Sequence, residues 1–271
     1  MASNSHGGRW KGKWALVTGA SAGIGWSLAQ QLAAAGANLV LSARRTDRLK
    51  QLAQELASKH GVKTDIFAAD LASPDAPAQI FGFTSAKGIE IELLINNAGF
   101  GIYGPIHENP EDRLLDMIQV NCAAVASLTR KYSAEMVRRR SGDILIVAST
   151  AAFQPVPFIA AYAATKAFDL IFAEGIAEEL RPFGVRVCAL CPGSTNTEFQ
   201  QVAQQPDRVF RVAETADKVA RVGLEGLAAG KSFVISGTRN NLMVQGERLA
   251  PRGFIAKMAA RMMRPGPSPN S

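Results

Sequence analysis

At 271 residues, 47% hydrophobic and 20% charged, the chain has the composition of a globular α/β protein of one large domain or two small ones, and not of a disordered or fibrous chain. A formal charge of +7 suits nucleic acid, an anionic membrane surface or a polyanionic cofactor, but the basic clusters carry no interleaved aromatics, which argues against nucleic acid. No apolar run approaches the ~20 residues that span a bilayer, Met1 to Gly8 is polar, and three cysteines make no disulfide framework, so a cytoplasmic protein is expected.

The first element is the apolar run Trp14 to Thr18, which breaks at Gly19, Ala20, Ser21, Ala22, Gly23, Ile24 and Gly25 and turns into a helical pattern from Trp26 to Ala35. Strand, glycine turn and helix in that order suit a pyrophosphate: unpaired amides and the helix dipole attract it, and glycines let it approach the main chain. A merely tight turn is the plain alternative. The next strand, Asn38 to Ser42, ends at Ala43, Arg44 and Arg45, where a dinucleotide-binding unit reads the adenosine ribose. Two guanidinium groups without a carboxylate suit a 2′-phosphate, so NADP(H) is expected over NAD(H), with at least one of the two arginines reading the phosphate.

A helix from Asp47 to Lys59 and a strand from Thr64 to Ala68 lead to Asp70 and Leu71, placed to meet an adenine edge. A helix from Asp75 to Lys87 and a strand from Ile91 to Ile95 lead to Asn96, Asn97, Ala98 and Gly99, small residues that permit close approach of a ligand. Strands and helices alternating at this pitch predict one doubly wound parallel sheet of the Rossmann type, about seven strands with helices on both faces, and a ligand crevice at the strands' carboxyl ends.

A long helix from about Glu111 to Arg138 carries Asn121 in mid-pattern. Asn is a poor helix former, so it either bonds a neighbouring strand or opens the helix ladder to hold a water beside a catalytic ammonium. A strand from Asp143 to Ala148 delivers Ser149, and a helical run from Tyr162 to Leu180 puts Tyr162 and Lys166 on one face. Phe168, Ile171, Phe172 and Ile176 recur at helical spacing along the same run. A phenol near an ammonium has its pKa drawn down and becomes a candidate proton donor, while a serine hydroxyl can hold a carbonyl oxygen in line with it and the lysine can hold a nicotinamide ribose. Cys188 and Cys191 fall on the strand Val185 to Leu190 with side chains on opposite faces, and His6, His60 and His107 are scattered, so no metal site is expected.

These motifs, in this order over roughly residues 10 to 240, resemble the short-chain dehydrogenase/reductase family: Thr18-Gly19-x-x-x-Gly23-x-Gly25, Asp70, Asn96-Asn97-Ala98-Gly99, Asn121, Ser149, Tyr162-x-x-x-Lys166 and Pro192-Gly193-x-x-x-Thr197. The resemblance implies a catalytic tetrad of Asn121, Ser149, Tyr162 and Lys166. It implies coenzyme contacts from Pro192, Gly193 and Thr197, and an NADP preference at Arg44. Thr195 departs from the Val or Ile whose backbone pairs with the nicotinamide amide in many members. Hydride transfer between NADPH and a ketone, or the reverse from a secondary alcohol, is the implied reaction; the pocket residues Phe100, Tyr103, Val156, Phe158 and Phe199 suit an acyl, steroid-like or aromatic substrate. Relatives dimerise through the two long helices, so a homodimer is expected, with a tetramer left open.

The chain thus divides into a flexible tail over 1–9, a Rossmann domain over 10–239 and a C-terminal extension over 240–271. In the extension Leu249, Phe254, Met258 and Met262 are interleaved with Arg252, Lys257 and Arg261, a basic amphipathic pattern that packs on the domain or a partner, covers the cleft, or lies on an anionic membrane. The end, from Pro265, reads as disordered. The rival from another class is a non-catalytic dinucleotide-binding or membrane-surface scaffold of the same fold, against which an intact tetrad argues.

Overall fold

The computed structural model describes residues 8–203, 213–247 and 249–265. His6, much of the N-terminal tail, part of the segment after Thr195 and the end beyond residue 265 lie outside them. Seven strands form one parallel sheet: β1 (Trp14–Thr18), β2 (Asn38–Ala43), β3 (Thr64–Ala68), β4 (Ile91–Asn96), β5 (Gly142–Val147), β6 (Val185–Cys191) and, after a separate two-stranded ribbon of β7 (Thr195–Asn196) and β8 (Glu214–Thr215), β9 (Phe233–Ile235). Their spatial order is β3-β2-β1-β4-β5-β6-β9. The order reverses between β1 and β4, and at such a switch point neighbouring connections leave for opposite faces and open a crevice.

The strands are apolar on both sides because both faces are covered. Val17, Leu93, Ile95 and Leu145 face a layer of α1 (Gly23–Ala34), α2 (Thr46–His60) and α8 (Ala216–Ala228), with Leu28, Leu52, Leu56 and Leu224 fully buried. Leu16, Leu94, Ile144 and Ile146 face α3 (Ala76–Ala86), α5 (Ala124–Arg139) and α6 (Ala160–Leu180), with Ile80, Leu128 and Met136 fully buried. Cys188 belongs to the first layer and Cys191 to the second, so these thiols sit on opposite faces of β6 and stay free.

Three features differ from the sequence expectation. The long helix is not continuous: α4 (Glu111–Ile118) passes into a π-helical segment, Gln119–Ala123, before α5 begins. Asn121 is at the middle of that segment, where the ladder widens by one residue. On α6 the buried face is Tyr162, Thr165, Lys166, Asp169, Leu170 and Ala173, whereas Phe168 and Ile171 face outward, Ile171 at 69% exposure. Arg9, assigned to the flexible tail, bonds the Asp143 carboxylate together with Trp10 and Arg186, pinning the start of the chain beneath the amino end of β5.

The extension forms two helices, α9 (Thr238–Glu247) and α10 (Arg252–Met263). α9 docks by Asn240, whose side chain donates to the Ser236 carbonyl and lies where a Cβ on Gly193 would stand, 2.4 Å from its amide nitrogen. α10 has a single buried residue, Met263. Earlier in the chain, α7 (Phe199–Ala203) lies between the two strands of the short ribbon.

Candidate active site

A cleft of about 780 Å³ opens at the carboxyl ends of the strands, over the switch point. Gly19, Ser21, Ala22, Gly23 and Ile24 line one end, with Arg44, Arg45, Asp70 and Leu71 beside them. Asn97, Ala98 and Gly99 form the middle, and Ser149, Tyr162, Lys166, Pro192, Gly193, Thr195 and Thr197 the other end. Among the residues singled out from the sequence, Gly25 and Asn121 do not line it, and neither do Tyr103 and Phe158 of the expected substrate pocket.

The glycine turn is shaped for an anion. Gly19 and Gly23 hold φ of +66° and +54°, which side chains rarely tolerate, and a Cβ on Gly23 would come within 2.9 Å of Thr197. At Gly25 a Cβ would stand 2.4 Å from the Gly19 carbonyl oxygen. The residue capping α1 is Ala22, which has no side chain to satisfy the helix's first amides, and the first turn holds no acidic residue. These amides and the positive end of the dipole face the cleft, so the residues present fit a dinucleotide pyrophosphate.

Thr18 and Asn97 hold this turn in place. The Thr18 hydroxyl donates to the Ile95 carbonyl and accepts from the Asn97 and Ala98 amides; the Asn97 side chain donates to the carbonyls of Thr18 and Gly19. The Asn97 side chain therefore fastens β4 to the turn.

The two arginines have different occupations. Arg44 is 72% exposed and pairs with the half-exposed Asp70 carboxylate at 3.9 Å, a loose surface pair. Arg45 donates to the Ser21 hydroxyl at 3.2 Å and pairs with Glu198 at 2.8 Å. Arg44 is the guanidinium free to turn toward a 2′-phosphate, and Arg45 clasps the glycine turn to the strap ahead of α7.

At the other end, β5 runs out at Val147 and Ser149 follows in extended backbone, its hydroxyl accepting from the Ala151 amide. Tyr162, in the first turn of α6, lies near Ser149, whose hydroxyl favours the phenolate, and the Lys166 ammonium lies 6.0 Å from the phenol ring centre. Burial pushes the Tyr162 phenol above its ordinary value, outweighing the downward pull of Lys166 and Ser149. The expected lowering by the lysine is present, but burial wins and the phenol keeps its proton at neutral pH. Burial pulls the Lys166 ammonium down, yet the negative partners around it, Asp169 first, carry it above its ordinary value.

Asn121 is fully buried and all of its side chain is engaged: its amide donates to the Phe100 carbonyl and the Thr165 hydroxyl, and its oxygen accepts from the Phe100 amide. Its side chain bonds the Phe100 loop and Thr165 of α6 and not a neighbouring strand, while the widened ladder at this residue is the opening on which the water-holding reading depends. Thr195 is buried on β7, with its hydroxyl donating to the Gly193 carbonyl, so the departure at this position turns its side chain to the loop itself.

Sequence reading missed several residues here. Met263, from α10, lines the cleft and packs with Tyr162, Val156 and Ile159, and its carbonyl accepts from the Tyr103 hydroxyl at 2.6 Å. Arg113 of α4 lies 5.5 Å above the Phe100 ring at the mouth. Asp169, fully buried, pairs with Lys166. Its sequence signal was an acid three residues after the lysine on the same helical face. For Met263 the sequence offered only the extension's amphipathic pattern, with the cleft as one of its expected placements; its bond to Tyr103, 160 residues away, had no local signal.

The short chain dehydrogenase family model matches residues 13–208. A very-long-chain 3-oxoacyl-CoA reductase of Pyrenophora tritici-repentis is 34% identical over 230 residues, 82% of this chain and 67% of that protein. The protein of the same description from Aspergillus clavatus is 37% identical over 179 residues, 65% of this chain and 52% of the relative. The chain thus spans between about half and two thirds of the length of these curated relatives. Among solved structures, a short-chain dehydrogenase from Sphingobium yanoikuyae in complex with NADPH superposes with a TM-score of 0.81 at 29% identity, covering 90% of this chain and 94% of that one. A 7beta-hydroxysteroid dehydrogenase superposes with a TM-score of 0.84 at 26% identity, covering 93% and 98%.

Proposed function

The chain belongs to the short-chain dehydrogenase family, and on that premise we propose that it is an NADP(H)-dependent oxidoreductase acting on a ketone, or the corresponding secondary alcohol, of an elongated apolar substrate. The observation that carries this reading is the grouping of Ser149, Tyr162 and Lys166 at one end of a cleft whose other end holds an uncapped helix and the loosely paired Arg44.

NADPH, when bound, supplies the hydride. Ser149 holds the substrate's carbonyl oxygen beside the phenol; Tyr162, protonated at neutral pH, donates its proton to that oxygen; Lys166 carries the positive charge that stabilises the phenolate left behind. Phe100, Val156, Ile159, Phe199 and Met263 give the substrate end an apolar lining that excludes water and suits an acyl chain. Similarity to the 3-oxoacyl-CoA reductases supports a 3-oxoacyl group as the ketone.

The outward apolar residues Leu115 and Ile118 of α4 and Phe168 and Ile171 of α6 support a dimer face on these helices. The exposed Phe254, Met258 and Met262, with Arg252, Lys257 and Arg261 on the same helix, support peripheral contact of α10 with an anionic membrane. No helix among the described residues is long and apolar enough to cross a membrane. The free cysteines support a cytoplasmic placement.

A parallel fluorescence titration with NADPH and NADH tests the reading, with Arg44→Ala beside the natural chain. NADPH is expected to bind more tightly, and Arg44→Ala to lose about ten-fold in NADPH affinity while keeping its NADH affinity. Binding of neither coenzyme would overturn the proposal.

A further inference from the structure

Beneath the catalytic lysine lies a carboxylate that the reaction as described does not use. Asp169 stands one helical turn after Lys166 on α6 and has no solvent exposure. Its Oδ2 accepts from the Lys166 ammonium at 2.9 Å, and its Oδ1 is buried without a hydrogen-bond partner among the described residues. A sealed carboxylate with one oxygen unsatisfied costs stability, and such costs persist where a site needs the charge.

The ammonium has three hydrogens to give. One goes to the Val147 carbonyl at 2.7 Å and one to Asp169. The third is left to point into the cleft, which Lys166 lines. Asp169 therefore fixes both the place of the ammonium and the direction of its remaining donor.

It also acts on the phenol. At Tyr162 the charges of Lys166 and Asp169 work in opposite senses, the lysine favouring the phenolate and the aspartate opposing it. The other titratable groups facing Asp169 are the thiols of Cys122, on the π-helical segment, and Cys191, on β6; burial raises both, Cys122 to about 11, so they are neutral at working pH. The field at the phenol is thus set by one cation and one anion.

We propose that Asp169 is a positioning residue for the reaction, holding Lys166 in place and cancelling part of its pull on Tyr162, so that the phenol remains an acid for ketone reduction. The proposal rests on the reading of Tyr162 as proton donor. Its sign is fixed by charge alone: removing a negative charge makes the loss of a proton from the Tyr162–Lys166 pair easier, whichever member gives it up, so the pair's apparent pKa falls.

The test is the pH profile of kcat/KM for ketone reduction in the full chain, Asp169→Asn against Asp169→Glu. In Asp169→Asn the alkaline limb is expected to move toward lower pH by about one unit; Asp169→Glu, which keeps the charge, is expected to return it toward its natural position. A folded Asp169→Asn whose limb superposes on that of the natural chain would overturn the proposal. Should that variant fail to fold, Asp169→Ser, which leaves space for water at the carboxylate's place, carries the same expectation. If the natural chain reduces no ketone, it is the functional reading that has failed. Ultraviolet difference titration of the phenolate, with Tyr162→Phe as the blank, then still decides on Asp169: the same acidward shift supports it, and coincident curves refute it.

Discussion

Two aspartates are sealed into this molecule at opposite ends of its sheet. Asp143, at the amino end of β5, receives both oxygens' worth of partners: Arg9, the Trp10 indole at 2.7 Å and Arg186 at 2.8 Å. Asp169, at the carboxyl end, has one lysine and one empty oxygen. Burial raises the pKa of both, Asp169 to about 6. The first carboxylate is a fastening, satisfied on every side and far from the cleft. The second has fewer partners, its cation being a lysine that also lines the cleft. Saturation of hydrogen bonds, and not burial alone, separates a structural charge from a working one.

The largest effect expected is at the working end. Tyr162→Phe should lower kcat by about 10²- to 10⁴-fold while coenzyme affinity and melting temperature stay close to those of the natural chain, as read by steady-state kinetics, fluorescence titration and thermal unfolding. Loss of coenzyme binding in this variant would contradict the separation of roles. Next comes the fastening. Asp143→Ala leaves the Arg9 and Arg186 guanidinium groups and the indole without their anion, and should cost about 3–5 kcal/mol in urea unfolding, with kcat per folded molecule retained. A fall in kcat in proportion would erase the contrast between the two ends. The smallest change in stability is expected when the working pair is replaced as a pair. Lys166→Met together with Asp169→Leu should abolish turnover, yet leave urea stability equal to or about 1–4 kcal/mol above that of the natural chain, because a poorly satisfied buried ion pair is exchanged for apolar packing. A large loss instead would place Asp169 in the same class as Asp143.

Much of the frame was legible in the sequence. The strands β1 and β3 fall where their apolar runs and flanking turns place them, and the alternation with helices fixes a parallel sheet. Those signals are local and periodic. The glycine turn, Ser149, Tyr162 and Lys166 were legible because spacing within one turn or one helix determines their relative positions. What escaped depends on neighbours distant in the chain. Nothing local distinguishes Arg44 from Arg45; Glu198, more than 150 residues further on, does so by pairing with the second. Nothing in the periodicity of α6 tells that Phe168 and Ile171 face outward, since both sides of that helix are apolar and only the sheet decides which is covered. The widened turn around Asn121 was inferable as an anomaly in a helical pattern, but the partners that consume its side chain, Phe100 and Thr165, are set by folding.

The wall that Met263 adds to the cleft is delivered by a helix whose other residues are exposed or half-buried, and its contacts with the body include that methionine and the hydrogen bond from Tyr103. Such an attachment has a history built into it. The coenzyme end of the cleft is interlocked with the sheet, so changes there are paid in fold stability, whereas α10 can be lengthened, shifted or exchanged with little disturbance beneath it. Variation in this arm is expected to alter which molecules fit, acting through Met263 and not through Ser149, Lys166 or the glycine turn.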